Sequence, residues 1–202
     1  MNLFSRFQNH KPGTDLITIV SGLPRSGTSM MMQILQAGGM PILTDNARTA
    51  DLDNPRGYYE LASVPRLKEG DVMWVKEARG KVVKVISALL EYLPRNYRYK
   101  VIFMQRDMQE ILASQKQMLI RLGKPTDGPS DETMAALFRQ HLASVQAWLA
   151  GQPNMPVLYV SYSELLKNPL PHIETLTRFL DLPLNTQSML EVPDQALHRQ
   201  RR

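Results

Sequence analysis

Leu23-Pro24-Arg25-Ser26 lies between Gly22 and Gly27, and Thr28 and Ser29 follow at once. Two glycines at this spacing let the backbone turn its N–H groups toward a common point. One cation and three hydroxyls surround that point. The chemistry open to such a set is the holding of a phosphate or a sulfate. The spacing fits the phosphate-binding loop of nucleotide triphosphatases, but Thr28 stands where those proteins carry lysine. The cation has moved into the loop, as Arg25.

The elements that must position this loop can be read on either side of it. Leu16 to Val20 is a short β-branched, apolar run that suits an interior strand. After the loop, Met30, Met31, Ile34 and Leu35 fall near helical spacing, and Ala37-Gly38-Gly39 ends the helix. Strand, glycine-bounded loop and helix N-terminus together make an anion site, because the first N–H groups of a helix lack internal partners.

Further along, Lys81 to Ile86, Tyr99 to Gln105 and Pro156 to Val160 read as strands. Helices are expected over Leu61 to Lys68, Met108 to Leu122, Ser130 or Asp131 to about Ala150, Tyr162 to Lys167 and Pro171 to Leu180. Thr44 to Gly57 is a long polar loop. The fold class expected is α/β: three layers, with a mostly parallel central sheet of about four to five strands flanked by helices. Ligands of such sheets bind beyond the carboxyl ends of the strands. Arg25, Ser26, Lys84 and Arg106 all fall at or near such ends.

With 202 residues, one domain over 1–202 is expected, with loosely structured ends over 1–14 and roughly 184–202. The composition is 43% hydrophobic and 21% charged, ordinary for a globular chain, and no apolar run approaches a membrane span. Cysteine is absent, which excludes disulfides and thiolate metal sites. A cytoplasmic location is the default that follows. The net charge of +5 is read as serving an anionic small ligand rather than nucleic acid.

At this point the residues resemble a known family. SGLPRSGTS is similar to the 5′-phosphosulfate-binding loop of the sulfotransferases that use 3′-phosphoadenosine-5′-phosphosulfate (PAPS) as donor. VIFMQRDMQEILAS resembles their 3′-phosphate-binding strand and helix, with Arg106 ending the strand and Ser114 eight residues on. VLYVSYSELLKNP resembles a later strand and short helix that bring Tyr162 near the site.

The resemblance implies that Pro24, Arg25, Ser26, Gly27, Thr28 and Ser29 hold the phosphosulfate, and that Arg106 and Ser114 hold the 3′-phosphate. PAPS would be the donor and 3′-phosphoadenosine-5′-phosphate (PAP) the product. No metal is expected, since Arg25 and Lys84 supply the cations. Lys84 matches a family lysine that neutralises charge on the transferred group. Where cytosolic members place a histidine base, this chain has Ile86.

Other members take a glutamate from the segment after the first helix, and Glu60 is the counterpart here, with Asp45, Asp51 and Asp53 in reserve. Beside Tyr58 and Tyr59, desolvation would favour a base role for Glu60; the alternative is a surface glutamate capping the Leu61 helix. Arg106 has its own alternative, an ion pair with Asp107 or Glu110. His141 and His172 are read as surface or packing residues.

Many members also close over the donor with a basic, glycine-containing C-terminal segment. EVPDQALHRQRR has no glycine: either Arg199, Arg201 or Arg202 substitutes, or the 3′-phosphate is held less completely. The acceptor, a small molecule, carbohydrate or lipid hydroxyl or amine, carries no diagnostic motif, and a homo-oligomer is left open. A P-loop kinase or nucleotide hydrolase, with Asp107 as metal ligand, and a non-catalytic nucleotide-binding module are the competing readings.

Overall fold

A computed structural model describes residues 15–45, 51 and 57–194. Four strands, β1 (Leu16–Gly22), β2 (Val82–Lys84), β3 (Arg98–Gln105) and β4 (Val157–Ser161), form one sheet in the order β2-β1-β3-β4. Every pairing is parallel. The two central strands are closed to water on both faces, which is why they read as continuous apolar runs.

Alternate strand residues feed two cores. Val20, Val82, Ile102, Met104 and Val160 face α1 (Thr28–Ala37), α4 (Tyr162–Lys167), α5 (Pro169–Leu180) and α6 (Thr186–Leu190). Ile17, Ile19, Val83, Val101 and Phe103 face a layer of three 3₁₀ segments and α3 (Asp131–Ala150). The remaining helix, α2 (Met108–Arg121), follows β3 and contacts α3. The three layers expected are present. Among the described residues, no helix is long and apolar enough to cross a membrane.

Register carries the site. Val20 lies abreast of Lys84, Gly22 abreast of Met104, and Gln105 abreast of Ser161. Three strands therefore end level with one another. The loop after β1, Lys84 on β2, Arg106 after β3 and Tyr162 after β4 emerge at one edge of the sheet.

Two expectations differ from the structure. The segment expected as a helix over Leu61 to Lys68 is a 3₁₀ helix, Val64–Glu69, with proline in its first turn. Pro65 and the short length favour the tighter winding. The chain after Pro183 is ordered further than expected: Asn185 caps α6 through a bond from the Ser188 amide at 3.1 Å. Met189 there is fully buried. Its Sδ packs where Gly38 has no side chain; a Cβ at that glycine would lie 2.8 Å from it. A five-residue helix whose apolar residues are the adjacent Met189 and Leu190 has too little periodicity to be legible in sequence.

Because Met189 is the buried residue of α6, Met189→Ala is expected to lower unfolding stability by about 2–5 kcal/mol in urea titration. A change below about 0.5 kcal/mol would show that α6 is not part of the core.

Candidate functional site

β1 delivers the loop with two backbone positions that a side chain would not permit. At Gly22 (φ 145) a Cβ would lie 2.5 Å from Ser26 Oγ and 2.7 Å from the Met104 carbonyl oxygen. At Gly27 (φ 97) it would lie 2.3 Å from the Tyr162 ring. Gly27 is the N-cap of α1 and offers no side-chain cap, so the first-turn amides of that helix stay available to a ligand. Arg25 between them has φ 71, in the left-handed region that non-glycine residues rarely enter.

Ser26 is 1% exposed, and its Oγ has no hydrogen-bond partner among the described residues. Buried hydroxyls are normally paired, and an orphan inside a glycine-cut loop fits a site that an oxyanion completes. It also borders a cavity of about 150 Å³ walled by Leu23, Phe103, Gln105, Arg106, Leu142 and Gln146.

Arg25 does not stand apart from the second predicted segment. Its Nε donates to Ser114 Oγ at 2.8 Å, across the gap between loop and α2. Ser114 is buried despite lying two turns into the helix, and it does reach back toward the loop. Arg106 donates through Nη1 to the Arg25 carbonyl at 3.0 Å and through Nε to Glu110 Oε2 at 2.8 Å. The ion pair with Glu110 is present; Asp107 instead caps α2, accepting from the Gln109 and Glu110 amides. Asp107 is thus occupied as a helix cap rather than aimed at the loop as a metal ligand.

On the other flank, Lys84 is buried with its ammonium group surrounded by acceptors. Nζ donates to the Tyr58 carbonyl and to Ser29 Oγ at 3.4 Å, and Glu60 Oε1 is 3.7 Å away. Ser29 Oγ also donates to the Tyr58 carbonyl at 3.5 Å. Lys84 and the loop helix are therefore joined through one strap, Gly57 to Glu60.

Glu60 is near Lys84 but not desolvated: its side chain is 45% exposed. The helix it was expected to cap is absent, since the 3₁₀ segment begins at Val64. Asp51 accepts from the Tyr58 hydroxyl at 2.7 Å, and Asp45 accepts from the Ala62 amide at 2.6 Å. Asp53, Arg199, Arg201 and Arg202 lie outside the described residues. Pro24 sits in the loop, and Thr28 opens α1.

Ile86, at the position of the family histidine, is 39% exposed. One residue on, the buried Ser87 Oγ lies 2.9 Å from His141 Nε2, a contact between the 3₁₀ segment and α3 that sequence reasoning missed. No local spacing signals a pairing of residues this far apart in the chain.

A model of the sulfotransferase domain matches residues 15–198, which takes in every part of this arrangement. The chain belongs to the sulfotransferase domain family. Sulfotransferase 1B1 of mouse (Mus musculus) is 21% identical over 181 residues, covering 85% of this chain and 60% of that protein. The same protein of dog (Canis lupus familiaris) is 22% identical over 209 residues, 95% of this chain and 66% of its own. This sulfotransferase domain thus spans roughly three fifths to two thirds of the length of these relatives.

Two solved structures share the fold. Mouse sulfotransferase SULT7A1 complexed with PAP superposes with a TM-score of 0.57 at 17% identity, covering 91% of this chain and 64% of that one. The sulfotransferase domain from the Synechococcus PCC 7002 olefin synthase gives 0.53 at 14% identity, covering 93% and 80%.

The orphan hydroxyl separates stability from binding in this sulfotransferase domain. Ser26→Ala is expected to leave the thermal midpoint unchanged or raised, because it removes an unpaired buried group, while weakening pyrophosphate binding roughly tenfold. A lowered midpoint with unchanged pyrophosphate affinity would show that the hydroxyl serves the fold.

Proposed function

We propose that this domain transfers a sulfuryl group from PAPS to a hydroxyl or amine acceptor. The observation that carries the reading is the bond from Arg25 Nε to Ser114 Oγ. It puts the loop and the β3–α2 corner within one side chain's reach, so that a nucleotide phosphorylated at both ends of its ribose can meet both.

The loop amides with Arg25, Ser26, Thr28 and Ser29 hold the phosphosulfate end, and Pro24 stiffens the turn that presents them. Ser114 and the N–H groups of Arg106 not used by Glu110 and Arg25 hold the 3′-phosphate. When bound, PAPS supplies a sulfuryl group already attached to a good leaving group.

As in phosphoryl transfer, positioning and charge neutralisation do most of the work left to the protein. Lys84 turns its ammonium from the Tyr58 carbonyl to the oxygen that bridges sulfur and phosphorus. That oxygen gains charge as its bond to sulfur breaks and the acceptor's bond to sulfur forms. Glu60 takes the acceptor's proton. It stands beside Lys84, and its partial exposure leaves it accessible to an acceptor entering from solvent. A cytoplasmic setting and a small-molecule, carbohydrate or lipid acceptor fit the same reading.

Calorimetry with PAP, ADP and ATP tests the donor. PAP is expected to bind at least tenfold more tightly than ADP, with no requirement for magnesium; equal affinities for the two would remove the basis of the assignment. Glu60→Gln is expected to keep PAP affinity within twofold while PAPS turnover over a panel of phenols, sugars and amines falls a hundredfold or more. Unchanged turnover in that variant would take the base role from Glu60.

A further inference from the structure

Arg106 has structural partners before any ligand arrives. Nε is held by Glu110, Nη1 by the carbonyl of Arg25, and the guanidinium lies 4.5 Å from the centre of the Tyr162 ring. The side chains of Arg106 and Glu110 are only 8% and 10% exposed. A buried ion pair is a poor source of net stability, but it fixes direction. An arginine gripped at Nε by a carboxylate one helical turn away, and stacked on a ring, keeps its Nη1 aimed at one place.

That place is Arg25, whose φ of 71 lies in the left-handed region that residues with a Cβ rarely enter. The same ring that supports Arg106 also lies against Gly27, where a Cβ would come within 2.3 Å of it. Arg25 and Gly27, the residues on either side of Ser26, are therefore held from outside by one assembly. Arg25 Nε returns the connection by donating to Ser114, one turn beyond Glu110 on α2.

We propose that Glu110, Arg106 and Tyr162 form a bracket that sets the shape of the anion loop, with Glu110 a positioning residue that acts through Arg106. The bracket serves the 5′ end of the donor as much as the 3′ end. This rests on the loop being the phosphosulfate site of the proposed function. It departs from a role for Arg106 confined to the 3′-phosphate, and the two differ in what a ligand without a 3′-phosphate feels. A 3′-only arginine leaves such a ligand indifferent to Glu110. A bracket does not.

Calorimetry of PAP and of ADP against Glu110→Gln and Glu110→Asp distinguishes them, with the thermal midpoint of each variant recorded. Glu110→Gln is expected to weaken both ligands by the same factor, about tenfold, and Glu110→Asp to recover part of both. Hydrogen exchange of the Leu23 to Thr28 amides in the ligand-free protein is expected to accelerate in Glu110→Gln. That readout stands even where neither nucleotide binds, so a failure of the donor assignment would not be mistaken for a failure of the bracket. ADP affinity within twofold of wild type in Glu110→Gln, or unchanged loop exchange, would overturn the proposal. Tyr162→Leu, which keeps an apolar side chain but removes the ring, is expected to weaken both ligands as well; loss of PAP binding alone would count against the bracket.

Discussion

The backbone of Arg25 is the constraint around which the site is built. A left-handed conformation at a residue with a Cβ is disfavoured, and it persists where surrounding contacts over-determine it. Here the carbonyl of Arg25 is held by Arg106, its side chain by Ser114, and the next glycine is hemmed in by Tyr162. Those partners come from the ends of β3 and β4 and from α2. The loop has its shape because three strands finish level in a parallel sheet, and the register that levels them is a property of the buried apolar runs.

The same edge concentrates positive charge, and each cation is handled differently. Arg106 is neutralised by a carboxylate and serves as a rigid arm. Lys84 donates to the Tyr58 carbonyl and to Ser29, with the Glu60 carboxylate beside it. A carbonyl is a neutral acceptor and gives way to an anion more readily than a carboxylate does. In the proposed reaction Lys84 exchanges that carbonyl for the developing charge, with Glu60 still beside it. The strap that carries Tyr58 also carries Glu60, so the proposed base and the proposed electrostatic stabiliser are set by one short segment.

The parts of this arrangement legible in sequence are those with local signatures. Gly22 and Gly27, the apolar strands and the arginine at a strand end announce the fold, the loop and the corner after β3 that faces it. Glu110 was legible too, as the helical i+4 partner of Arg106, but its consequence for the loop was not: the bond from Arg106 to the Arg25 carbonyl joins residues 81 apart. The Ser87–His141 contact was hidden for the same reason. Glu60 shows a different limit. Its place after two tyrosines left a desolvated base and a surface cap both open, because local sequence does not set solvent exposure; the side chain is nearly half open. The docking of α6 depends on the void above Gly38, a feature of packing that no periodicity reports.

In the proposed function the loop and the β3–α2 corner are one donor site. The position of PAP in a crystal structure of the complex tests it most directly. The 5′-phosphate is expected within hydrogen-bond distance of Ser26 Oγ and the first amides of α1, and the 3′-phosphate at Ser114 and Arg106. A nucleotide bound elsewhere, or one bound at the loop with its 3′-phosphate directed into solvent, would contradict it.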